Sequence, residues 1–123
     1  MAVILHGTTH ARARRILENG PDPDFVEPDG TGSAESFSAT LEHGPFPLMR
    51  PEDYARSKAK GFPDELGPAI VAVDVPDEII ALAATDWLPI SDGVIQFDSG
   101  AGLEELQRVW PSLHKEIRRV ENQ

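Results

Sequence analysis

The chain has no cysteine, which excludes disulfides, thiolate metal sites and a thiol nucleophile. It also lacks any apolar run near the roughly 18 residues that a bilayer crossing needs. Its opening, Met1-Ala2-Val3-Ile4-Leu5-His6, is too short and without the basic flank of a secretory signal, so a cytoplasmic location is the default expectation. Bases are scarce. Eleven Lys and Arg stand against 21 Asp and Glu, for a formal net charge of −10. A surface this acidic repels phosphate backbones and anionic lipids, so neither duplex nucleic acid nor a membrane is an expected partner. No Gly-x-Gly-x-x-Gly, no phosphate-loop lysine motif, no Gly-x-Ser-x-Gly and no internal repeat occurs. The familiar nucleotide loops and the serine-hydrolase elbow are therefore missing.

What remains is enough for one domain over residues 1–123, with 40% hydrophobic and 26% charged residues in the globular range. Residues 2–6 read as a short buried strand. Thr8 or Thr9 can cap the helix that follows, whose stripe is Ala13, Ile16 and Leu17, and Asn19-Gly20-Pro21 stops it. Residues 21–34, rich in Pro, Asp, Gly and Ser, read as an exposed loop. Residues 36–41 form a strand, and a proline-rich connection runs from Gly44 to Arg50. Pro51 then starts a helix with Glu52 and Asp53 in the first turn, Lys58 and Lys60 in the last and Gly61 at its end, an order that suits the helix dipole. The β-branched run 69–75 is the clearest strand, 77–87 fits helix or strand, and 93–97 is the last strand. From Leu103 the apolar residues Leu103, Leu106, Trp110, Leu113, Ile117 and Val120 step by three and four, predicting helix broken or bent at Trp110-Pro111. The expected fold is α+β: a largely antiparallel, twisted or split sheet of about four to six strands with three or four short helices.

The stretch Leu5-His6-Gly7-Thr8-Thr9 carries the most chemistry. His6 ends a buried strand, Gly7 lets a flat ligand reach the backbone, and the following helix start offers amides with Arg12 and Arg15 nearby. Each residue also has a plainer reading: His6 as a satisfied structural histidine, Arg12, Arg14 and Arg15 as a solvated helix face, Phe37 and Tyr54 as packing residues. No metal is expected. His6 and His10 do not share a helix, His43 and His114 lack partners at ligand spacing, and the acids Asp22, Asp24, Glu27 and Asp29 miss the pattern of a calcium loop.

The order strand, His6-Gly7-Thr8, helix, Gly20 resembles the opening of the ADP-ribosyltransferase-like superfamily, shared by poly-ADP-ribose polymerases, the diphtheria-toxin class and RNA 2′-phosphotransferases. The resemblance implies that His6 hydrogen-bonds a ribose of NAD and that the Gly7 backbone engages the nicotinamide amide, with NAD as substrate. Phe37-Ser38-Ala39-Thr40 followed by Tyr54-Ala55 is similar to the family's second element, which would make Phe37 or Tyr54 the stacking ring and Ser38 its support. The family's late-strand glutamate has no counterpart; Asp92 and Gln96 are the nearest residues, and a glutamine cannot act as a base or carry charge opposite a forming cation. The leading expectation is an NAD-binding ADP-ribosyltransferase-like protein whose turnover is weak or lost, with the 21–34 loop over its cleft. The alternatives are a non-catalytic protein–protein interaction domain using the Leu103–Val120 seam or the proline-rich loop, and a ligand-binding barrel.

Overall fold

In the computed structural model, residues 1–21, 36–43, 50–61, 66–85, 94–98 and 101–121 are described. Strand β1 (Ala2–Thr9) leads directly into helix α1 (His10–Asn19), followed by β2 (Ser36–Leu41), α2 (Pro51–Gly61), β3 (Pro68–Val75) and α3 (Asp77–Ile80). The chain then forms the two-residue β4 (Ala84–Thr85), β5 (Val94–Asp98), α4 (Ala101–Val109), a 3-10 turn (Trp110–Ser112) and β6 (Lys115–Arg119). The six strands make one open sheet in the order β4-β5-β2-β1-β3-β6, and every pairing is antiparallel. The α+β expectation holds. An open sheet ending in two edge strands is not a barrel.

The helix signals act where the sequence places them. Thr9 caps α1, its hydroxyl accepting from the Arg12 N–H at 3.4 Å. Gly20 closes it with φ 84° while its N–H donates to the Ile16 carbonyl at 2.8 Å. Strand β1, however, runs three residues past His6, because β3 supplies hydrogen-bonding partners as far as Thr9↔Pro68.

Period-two alternation sorts the sheet into two faces. Ile4, Phe37, Ala39, Val71, Val73, Ile95 and Phe97 face one way and, with Ala13, Leu103, Leu106, Trp110 and Leu113, form the main core. Trp110 is its pivot. Its indole N–H donates to the Leu17 carbonyl at 3.1 Å, and its ring meets Phe37 edge-on at 6.4 Å. The other face carries Leu5, Ile70 and Ala72 with Val3 and Val120 packed on them. Part of that face is covered by α2, which turns Pro51, Ala55 and Ala59 inward. Arg118 on β6 pairs with Glu42 at 2.6 Å and with Glu116 at 3.1 Å, linking the end of β2 to the far edge strand.

The C-terminal seam requires a correction. Leu103, Leu106, Trp110 and Leu113 are buried in the chain's own core, but the helix ends at Val109 and residues 115–119 are a strand paired with β3. Pro111 prevents helix continuation. Past it, the backbone groups along the β3 edge offer a full ladder to a short strand, with Ile117 set opposite Val71. Steps of three and four thus coincided with a helix only as far as Trp110.

Two substitutions test this packing. Leu106→Ala, at a fully buried position, is expected to cost about 3 kcal/mol in chemical denaturation, because the void cannot refill. Gly7→Ala would drive a Cβ into the Pro51 carbonyl oxygen; displacing α2 to relieve it should cost about 2–3 kcal/mol, read as a lower thermal midpoint.

Candidate functional site

The site begins where the sheet comes apart. Strands β1 and β2 pair at Ile4↔Leu41 and Leu5↔Thr40, and no later pair is formed between them among the described residues. Yet β1 continues along β3 to Thr9, and β2 continues along β5 to Ser36↔Asp98. Continuing the β1–β2 register would set Gly7 opposite Ser38. The Val3 carbonyl accepts from the Glu42 N–H at 2.9 Å, so by alternation the backbone groups of Leu5 and Gly7 also point toward β2. The split therefore deprives the Gly7 and Ser38 carbonyls of each other's strand.

Side chains make up the loss. His6 places Nδ1 at 2.6 Å from the Ser38 carbonyl oxygen. A carbonyl only accepts, so Nδ1 carries the proton and Nε2 is left as an acceptor. Lys58, reaching in from α2, donates to the Gly7 carbonyl at 3.0 Å. The His6 ring stacks on Phe37 with centroids 4.4 Å apart and planes 25° from parallel. Burial pushes the His6 pKa down to about 3; the Lys58 charge acts in the same direction, and the Ser38 hydrogen bond opposes both. At neutral pH the imidazole is uncharged with one fixed tautomer. His6 is half-buried, and among the described residues its Nε2 is not one of the sealed side-chain atoms without a partner, which include His10 Nδ1 and Thr40 Oγ1.

The other candidates fall around this gap on both faces of the sheet. Phe37, on the His6 side, is buried behind the imidazole, and Thr8 is buried in β1. Gly7 is buried beneath α2, whose backbone comes so close that no Cβ fits. That close approach requires glycine with or without a ligand. Ser38 stands opposite Gln96 on β5, and alternation turns both side chains to the α2 face. Tyr54 lies one turn before Lys58 on the same side of α2, and it is partly buried. Strand order β5-β2-β1 thus brings Gln96, Ser38 and His6 onto three adjacent strands. Asp92 and the 21–34 loop beyond Pro21 lie outside the described residues.

Arg12 is buried rather than solvated, while Arg14 and Arg15 are exposed. A separate cavity of about 600 Å³ is lined by His10, Leu66, Gly67, Pro68, Arg119, Val120 and Glu121, away from the split. Sequence reasoning assigned Lys58 only to the helix dipole; its spacing of four from Tyr54 was the available signal.

Comparison with family models, curated proteins and solved structures finds no match for this chain. Among the described residues, no helix is long and apolar enough to cross a membrane.

The His6 state is testable through linkage. Its folded pKa lies below the unfolded value of about 6.5, so the unfolded chain binds the extra proton between about pH 3 and 6.5, and stability falls as pH falls through that window. Between pH 7 and 5 the wild type should lose about 2 kcal/mol more than His6→Asn, which keeps a donor for Ser38 but cannot titrate. Urea denaturation at the two pH values measures the difference; equal losses would mean the ring is not held neutral.

Proposed function

We propose that this domain binds NAD at the split between β1 and β2, as an ADP-ribosyltransferase-like protein. One observation carries the reading: His6 spends its Nδ1 proton on the Ser38 carbonyl, presenting Nε2 as an uncharged acceptor. Such a nitrogen suits a hydroxyl donor, the group a ribose offers. Beside it, the backbone groups of Gly7 point into the gap, where a carboxamide has both a donor and an acceptor to match them. Tyr54 stands on the α2 side as the ring for stacking, since Phe37 is already engaged by His6. These are the contacts that the resemblance of His6-Gly7-Thr8 implies.

The residues favour binding over transfer. Gln96 occupies the third strand next to Ser38. Its amide can hold a ribose hydroxyl, but it supplies neither a base nor a negative charge for an oxocarbenium-like state.

Thermal denaturation with NAD tests the reading. A ligand that binds only the folded chain stabilises it by about 2.7 kcal/mol at 100 times its Kd, so millimolar NAD should raise the midpoint of the wild type. His6→Asn keeps the Ser38 contact but lacks the Nε2 acceptor, and it should show at least a tenfold weaker response. An unmoved wild-type midpoint at millimolar NAD would discard the proposal.

A further inference from the structure

Across β1 from the split, on the side where β3 and β6 lie, the chain forms the cavity of about 600 Å³, a size that takes a small molecule. Its walls come from three places in the sequence. His10 opens α1, Leu66 and Pro68 lead into β3, and Arg119, Val120 and Glu121 end β6 and follow it. The His10 N–H donates to the Gly67 carbonyl at 2.9 Å, and Arg56 of α2 donates to the Glu121 carbonyl at 2.9 Å. Each helix thus holds one wall in place.

Three polar side chains on these walls lack the partners such groups normally take. His10 Nδ1 is sealed and makes no hydrogen bond, a costly state for a buried polar atom. Arg119 forms no ion pair among the described residues, although its neighbour Arg118 takes both Glu42 and Glu116. That is unexpected in a chain with 21 acids against 11 bases. The Glu121 carboxylate is also without a cation, and it does not pair with Arg119 two positions away. At the rim, Leu66 is 72% exposed and held at φ 65°. A left-handed backbone crowds the Cβ of a leucine, and strain of this kind collects at ligand sites. A ligand lying against Leu66 would cover its side chain.

We propose that this cavity is a second binding site, for a small zwitterion with an apolar body; an α-amino acid such as leucine is the simplest. The carboxylate pairs with Arg119 and accepts from the His10 ring, the ammonium pairs with Glu121, and the side chain lies on Leu66, Pro68 and Val120. A simple anion would meet the Glu121 carboxylate, and a simple cation would meet Arg119. The cavity therefore selects against both. It shares no residue with the split and does not depend on the NAD reading.

Titration calorimetry with leucine, isocaproate, isoamylamine and glycine tests the assignment, since each of the last three lacks one of leucine's groups. Leucine should saturate the wild type by about 10 mM, with the other three at least about tenfold weaker. Arg119→Gln and Glu121→Gln, both at exposed positions, should each weaken leucine at least about tenfold. Asparagine tolerates a left-handed backbone, so Leu66→Asn should keep or raise the thermal midpoint while weakening leucine about threefold or more. The inference is overturned if leucine does not bind, if isocaproate, isoamylamine or glycine matches it, or if any of the three variants leaves its affinity unchanged.

Discussion

Two backbone carbonyls, at Gly7 and Ser38, face a gap where two strands should have paired, and the local structure is organised around supplying them with donors. Leaving a buried carbonyl without a partner costs as much as a lost hydrogen bond. One carbonyl takes the imidazole of His6 and the other the ammonium of Lys58. The first bond fixes the histidine tautomer, and the second ties α2 to β1. A sheet that closed its ladder completely would have needed neither side chain, and would have had no gap.

The gap is supported from behind by aromatic contacts. His6 lies on Phe37, Phe37 meets the edge of Trp110, and Trp110 is anchored to the last turn of α1 through the Leu17 carbonyl. Lys115 adds bonds to the Trp110 and Leu113 carbonyls at 2.7 and 3.1 Å, securing the turn that carries the indole. The imidazole position is therefore set by residues more than 100 positions away in the chain. On the opposite face the small residues Ala55 and Ala59 and the bare Gly7 let α2 approach closely enough for Lys58 to reach across. The low pKa of His6 follows from the same packing, with burial first and the neighbouring ammonium second.

Acidity and site chemistry are separable in this protein. The formal charge of −10 disfavours long-range attraction of anions, yet the split holds an ammonium bonded to the Gly7 carbonyl and an imidazole bonded to the Ser38 carbonyl. Local geometry decides what such a gap can hold, because Coulomb interactions at hydrogen-bonding distance outweigh a screened net charge.

Much of the fold was legible in the sequence because its signals are local. Thr9, Gly20, Pro51 and Pro111 act within one turn of where they sit, and the β-branched run ending at Val75 is a strand on its own pattern. His6 and Gly7 stood out for the same reason, as an adjacent pair at a strand's end. The sequence could not show that β1 would run on to Thr9, that residues 115–119 would become a strand, or that Lys58 would leave the solvent for a carbonyl. Those outcomes depend on hydrogen-bonding partners far along the chain: β3 for both strands, and the unpaired Gly7 carbonyl for the lysine. Sequence alone determined which residue types were present and where helices start and stop. Only the tertiary structure decided where the sheet would divide, since a ladder ends when the strands on either side have better partners elsewhere.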